Sequence, residues 1–188
     1  MKTLILNGSP KRTGDTTALI QELVKHLDGE VQVVSSHFDG ISPCTDCRYC
    51  WNHSGCAIQD KMQDIYAFLE DCDNFVIASP IWYSELSGPL LNLASRFQTY
   101  FVARVFRNEP YSVKRKRGVL LLAGAEPGTE IKATSTAHTI FRHVNALPCV
   151  ATVFSLNTNS TPAADDEIAL ADIRKTALLL NQPFLEQS

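Results

Sequence analysis

The sequence lacks several features that would settle its class at once. No apolar run approaches the roughly twenty residues a membrane-crossing helix needs, so no span is expected. The formal charge is only −3, which gives no general attraction for a polyanion and argues against nucleic acid as a partner. The apolar run in the opening "MKTLILNGSPKRTGD" is three residues long and is broken at once by Asn7 and Gly8. That is too short for the hydrophobic region of a secretory signal. A cytoplasmic location is therefore expected, where thiols stay reduced. Internal repeats and low-complexity segments are absent as well. No Gly-Lys-Ser/Thr follows the first glycines, and no G-x-G-x-x-G occurs, which excludes the two commonest nucleotide loops in their usual form. The five histidines, His26, His37, His53, His138 and His143, form no triad pattern, and no catalysis is assigned to them.

What is present is an ordinary globular composition, 45% apolar and 20% charged over 188 residues, which suits one domain covering 1–188. Short apolar, mostly β-branched runs recur: Thr3–Leu6, Val31–Val34, Phe75–Ala78, Val119–Leu122 and Val150–Phe154. Such runs suit strands covered on both faces. Amphipathic helical patterns separate them. Leu19, Ile20, Leu23, Val24 and Leu27 share a stripe, as do Met62, Ile65, Tyr66 and Leu69, and then Leu90, Ala94, Phe97 and Phe101. Residues Glu130–Asn145 and Asp165–Leu180 supply two more helices. Strand and helix alternate throughout, which predicts a three-layer α/β/α sandwich around a five-stranded parallel sheet of order 2-1-3-4-5. In that order the loops after the first and third strands become neighbours at the ligand-binding edge. The polar "NTNSTPAADD" (Asn157–Asp166) is the nearest thing to a linker.

The first of those loops is "NGSPKRTGDTTALI". Gly8 and Gly14 permit tight turns, Ser9, Thr16 and Thr17 offer hydroxyls, and Lys11 and Arg12 add positive charge. The free N–H groups of a helix N-terminus favour an anion there, so the loop reads as a phosphate cradle. The plainer reading is a strand-to-helix turn capped by Asp15. The loop after the third strand is "ASPIWYSELSGPL". Pro80 stiffens it, and Trp82 and Tyr83 make either a wall for a planar ring or a cover for the sheet's end. "AGAEPG", with Gly124 at the end of the fourth strand, closes the same edge with backbone groups. The basic run "VKRKRG" (Val113–Gly118) reads as a solvated edge, with binding of a phosphate or an acidic partner as the alternative.

Together the two loops resemble the NAD(P)H-dependent FMN reductase and iron–sulfur flavoprotein family, which is flavodoxin-like. "NGSPKRTGDTTAL" is similar to that family's phosphate loop, G-S-P-R-x-x-G-N-T-x-x-L. Asp15 stands where the pattern has Asn, so it is expected to cap the helix and offer only its backbone to a ligand. "SPIWYS" resembles the family's S-P-I/V-Y segment along the isoalloxazine ring, with Trp82 in place of Tyr. The resemblance covers residues 3 to about 125, and beyond that only the overall fold. It implies FMN held by Ser9, Lys11, Asp15, Thr16 and Thr17 at the phosphate and by Pro80, Ile81, Trp82, Tyr83 and Ser84 along the ring, with Gly124 beside them. It further implies NAD(P)H as electron donor, an acceptor left open among quinones, free flavin, nitro compounds and proteins, and a homodimer. A flavodoxin-type carrier would be strongly acidic and carry T-x-T-G-x-T, and this chain does neither.

Four of the six cysteines crowd into "CTDCRYCWNHSGC", as Cys44, Cys47, Cys50 and Cys56. In a reducing compartment such spacing suggests metal or redox chemistry. It also resembles the compact motif of the iron–sulfur flavoproteins, which implies a [4Fe-4S] cluster on these thiolates. The following "AIQDKMQDIYAFL" resembles that family's next helix start. A zinc site using His53, a regulatory disulfide set, and a loop that binds nothing stay open beside it. A sensor whose cysteine loop matters more than any flavin is the third functional reading. Cys72 and Cys149 fit buried structural positions.

Overall fold

The computed structural model describes residues 1–184. Alternate side chains of the central strands feed two separate cores. In β1 (Lys2–Asn7), Leu4 and Leu6 face one side and Ile5 the other. In β3 (Asn74–Trp82), Phe75 and Ile77 oppose Val76 and Ala78, and in β5 (Arg117–Gly124), Leu120 and Leu122 oppose Val119 and Leu121. These strands have no wet face, and each buried Leu or Ile contributes about 1.5–3 kcal/mol. Helices α1 (Asp15–Lys25) and α7 (Glu167–Leu180) cover one side. On the other lie α3 (Met62–Asp71), α4 (Gly88–Ala94), α5 (Gln98–Phe106) and α6 (Glu130–His143). With β2 (Glu30–Ser35) and β6 (Cys149–Leu156), the parallel order is β2-β1-β3-β5-β6. That is the expected 2-1-3-4-5 arrangement. The numbering shifts because a sixth strand, β4 (Glu85–Leu86), folds back antiparallel on the end of β3.

Four further details differ from the sequence reading. The helix after β3 comes in two pieces, α4 and α5, joined by a 3-10 turn over Ser95–Phe97. Asn157–Asp166 is no linker. The N–H of Thr158 bonds the Gly124 carbonyl at 3.0 Å, and Asp166 caps α7 by accepting from the Ala169 N–H at 3.0 Å, which starts that helix at Glu167. Most of the basic run is structural. Lys114 pairs with Asp73, while Lys116 and Arg117 are buried. Arg117 donates to the carbonyls of Leu179, Leu180 and Gln182 at 2.7–3.0 Å and to Asn74 at 2.9 Å, closing the C-terminal end of α7. Cys72 is fully buried as expected, whereas Cys149 is only half-buried.

Because Arg117 satisfies several buried acceptors at once, Arg117→Ala should lower the unfolding free energy by about 3 kcal/mol. Urea denaturation measures this, and a loss below about 1 kcal/mol would contradict the clamp.

Candidate functional site

The β1 and β3 ends meet at Gly8. Its N–H donates to the Ala78 carbonyl at 2.7 Å, and its own carbonyl accepts from Ser87 Oγ at 2.7 Å. A Cβ on Gly8 would stand 2.8 Å from that same Oγ, so glycine is required by close approach. The Ser87 N–H is taken up by Ser79 Oγ at 3.0 Å. From this junction the two loops part around a cleft of about 290 Å³. Its walls are Ser9, Lys11, Gly14, Asp15 and Thr16 on one side and Pro80, Ile81 and Trp82 on the other, with Gly124 and the Thr158–Asn159 stretch closing it.

The first loop is shaped by its own side chains. Asn7 Oδ1 accepts from the Ser9 N–H at 2.8 Å, Ser9 Oγ accepts from the Lys11 N–H at 3.1 Å, and Thr17 Oγ1 donates to the Lys11 carbonyl at 3.1 Å. Ser9 and Thr17 therefore build the turn, and Thr17 does not line the cleft. Arg12 stacks over Phe38, 4.4 Å from its ring centre, while Lys11 borders the cleft. No side chain caps α1; its N-cap is Gly14. This corrects the expected role of Asp15, whose Oδ1 instead accepts from the Ala163 N–H at 2.9 Å across the α1–α7 side. The consequence is favourable for an anion. The first-turn N–H groups are left open, and the nearest carboxylate is engaged elsewhere. Thr16 is 3% exposed and lines the cleft.

Across the cleft, the tip between β3 and β4 is a two-residue turn, Tyr83 (φ 52°) and Ser84 (φ 60°). Both lie in the left-handed region usual for such turns but seldom filled by these residue types, at a cost of order 1 kcal/mol each. Trp82 is half-exposed on the cleft wall, while Tyr83 projects fully into solvent. Tyr83 and Ser84 line a shallower depression beside the cleft, with Ile81, Ala125, Glu126 and Thr129. Of the eleven residues expected at the flavin, the structure thus gathers eight in the cleft and leaves Thr17, Tyr83 and Ser84 outside its lining. Thr158 and Asn159 were missed. The one available signal was their place directly after the fifth expected strand.

The cysteine loop follows β2. Asp46 (φ 51°) and Arg48 (φ 59°) sit between successive cysteines and reverse the backbone each time. As a result Cys44, Cys47, Cys50 and Cys56 all line one narrow cavity of about 30 Å³. Short α2 (Tyr49–Asn52) lies within the loop. Around it the backbone is tied down: Cys44 N–H donates to Ser95 Oγ at 2.9 Å, Thr99 Oγ1 to the Gly55 carbonyl at 2.9 Å, and Arg107 to the carbonyls of Cys50 and His53. His53 does not reach the cavity; its ring stacks on Tyr49 with centres 4.4 Å apart. Among the described residues, no three His, Cys, Asp or Glu side chains are grouped to hold one metal ion. A tetrahedral zinc needs sulfurs within about 3.8 Å of each other. A [4Fe-4S] cluster asks for a wider set, one thiolate for each iron. Burial pushes the Cys50 thiol up, and the neighbouring Cys44, Cys56 and Cys47 add to it against its own backbone N–H.

Asp60 anchors the loop's far end. Burial works against its charge, but the Ser42 N–H, the Arg96 guanidinium at 2.9 Å and the Met62 N–H outweigh it, holding the carboxyl below the usual range.

The parallel order and the site at its strand ends define a flavodoxin-like protein. More narrowly, the chain belongs to the NADPH-dependent FMN reductase family, whose model matches residues 1–160 and so reaches Thr158 and Asn159. An iron–sulfur flavoprotein of Methanocaldococcus jannaschii is 27% identical over 112 residues, and the match spans 58% of each chain, little more than half that relative's length. One of Methanosarcina thermophila is 23% identical over 182 residues, covering 94% of this chain and 92% of its own. A solved NAD(P)H:quinone oxidoreductase from Methanothermobacter marburgensis shares the fold with a TM-score of 0.72 at 15% identity, over 98% of this chain and 99% of that one.

Two outcomes test this geometry. Gly8→Ala should separate the strand ends and destabilise the protein by about 1–3 kcal/mol in urea titration; unchanged stability would contradict the close approach. Asp60 stabilises the loop above the unfolded carboxylate value of about 3.9, and that contribution disappears as pH falls through its lower folded value. Proteolysis between Ser42 and Asp60 should therefore accelerate below about pH 4. An identical acid profile in Asp60→Asn would refute the assignment.

Proposed function

We propose that this chain carries FMN in the cleft between the β1 and β3 loops and moves electrons from NAD(P)H to a small-molecule or protein acceptor. The observation that carries this reading is the pairing of an uncapped α1 N-terminus, Lys11 and Thr16 with an aromatic wall in one cleft. When bound, FMN supplies a ring that accepts a hydride and returns electrons. The chain's own work is positioning. Lys11 and the first-turn N–H groups hold the phosphate dianion, and the Ala163 contact keeps the Asp15 carboxylate off it. Thr16 donates its hydroxyl. Trp82 and Ile81 cover the ring's site and exclude water from it. Gly124 has no side chain to block close approach, and a Cβ there would already meet Ile81 at 3.0 Å.

The four cysteines, in this reading, hold a [4Fe-4S] cluster, which supplies one-electron exchange with partners at the loop. The support is their convergence on one cavity with an anchored backbone, together with the names of the relatives. The same reading has the protein acting in the cytoplasm as a homodimer, with the exposed Tyr83 beside the cleft available to a second copy.

Anaerobically prepared protein should show flavin absorption that NAD(P)H bleaches, and Lys11→Gln with Thr16→Val should weaken FMN binding by about tenfold to a hundredfold. Protein that fails to take up added FMN would overturn the reading. Bound flavin that NAD(P)H leaves unchanged would instead leave an electron carrier.

A further inference from the structure

One donor at the cysteine cavity is left over by the contacts that anchor the loop. Arg96 is 1% exposed and lines the cavity with all four cysteines. Its Nη1 donates to the Ser42 carbonyl at 3.0 Å and the Asp60 carboxylate at 2.9 Å, and its Nη2 to the Ile58 carbonyl at 3.1 Å. Those bonds fix the guanidinium plane and satisfy the loop backbone. The Nε–H lies outside them; it is buried and has no partner among the described residues. A buried charged donor left unmade is among the costlier features a fold can carry. Arg107 shows the contrast. Its Nε, Nη1 and Nη2 each donate, to Glu109 and to the carbonyls of Cys50 and His53, so none of its nitrogens is left without a partner.

The cavity that Arg96 lines offers the sulfurs of four cysteines, beside the oxygens of Thr45, Asp46, Gln98 and Thr99. We propose that the Arg96 Nε–H donates to the sulfur-bearing group the four cysteines hold, and that this donor and its cation raise the group's reduction potential. The inference rests on reading the cysteines as [4Fe-4S] ligands. Charge and hydrogen bonds to sulfur are two of the levers that set such potentials. A donor aimed at sulfur favours the state with one more electron, because that state is the more negative. Arginine keeps its proton throughout, so the one electron that the titration supplies would enter the iron–sulfur core, formally at iron, and no proton moves through this residue. Asp60 opposes the effect, since its carboxylate offsets the guanidinium from the far side. Arg96 is thus a positioning residue, acting on electrons through the sulfurs rather than on substrate.

Opposite substitutions give opposite signs. Arg96→Lys keeps a cation for Asp60 and removes the Nε donor; Asp60→Asn keeps the donor and removes the opposing charge. Wild type and both variants would be reconstituted anaerobically with iron and sulfide, assayed for both, and titrated spectroelectrochemically. With iron content equal in all three, Arg96→Lys should make one-electron reduction about tenfold less favourable, a downward shift of about 59 mV, and Asp60→Asn should shift it upward. Unchanged potentials, or two shifts of the same sign, overturn the proposal. If Arg96→Lys does not fold, Asp60→Asn decides alone: an upward shift supports it, and no shift or a downward one overturns it. Wild type that binds zinc or no iron is recognised before any titration. It overturns the cysteine reading, and the proposal with it.

Discussion

The bonds around Gly8 set where everything functional lies. The strand ends of β1 and β3 are held together by its N–H on Ala78, and α4 is started by Ser87 bonding back to its carbonyl. One loop leaves this point toward the α1 N-terminus, the other toward Trp82, and the cleft between them exists because no side chain fills it. A larger residue at position 8 would push Ser87 away, and with it the helix whose 3-10 continuation carries Arg96. The cleft and the cysteine loop are therefore not independent attachments to a sheet. Helix α4 begins at the first and its 3-10 continuation carries Ser95 and Arg96 beneath the second.

Electrostatics divides the two sites. The cleft is built to receive negative charge, with Lys11 and open helix N–H groups, and it diverts its one acidic wall residue to Ala163. The cysteine cavity has a buried cation of its own, already half-committed to Asp60. In the proposed reading each site would meet an anionic ligand, one with an exposed helix terminus and the other with a desolvated guanidinium, so that the first would tolerate water and exchange and the second would require that the ligand stay.

Much of the architecture was legible because parallel strands buried on both faces leave continuous apolar runs, and all five such runs became strands. Helix periodicity was equally direct for α1 and α3. The two loops were legible as a pair only through topology, which brings residues 9–16 and 80–82 to one edge. What the sequence hid was set by tertiary contacts. Asp15 looked like a cap because Asp commonly is one, yet the β6–α7 connection offered it a better partner in the Ala163 N–H. Tyr83 and Ser84 carry no turn signal, since neither residue type prefers a positive φ, so the β4 hairpin could not be anticipated. Lys116 and Arg117 looked like part of a solvated charge run, and only the chain's return at α7 shows why Arg117 is buried. Arg96, inside an amphipathic helical pattern, gave no sign that it would sit under the cysteines.

The central claim is that the α1 N-terminus and Lys11 recognise a phosphate. Comparing FMN with riboflavin, which has the same ring and no phosphate, isolates that contact. Fluorescence titration of the flavin-free protein should show FMN binding at least a hundredfold more tightly, about 2.7 kcal/mol, with the difference shrinking in Lys11→Gln and at high salt. Equal affinity for the two flavins would contradict the account.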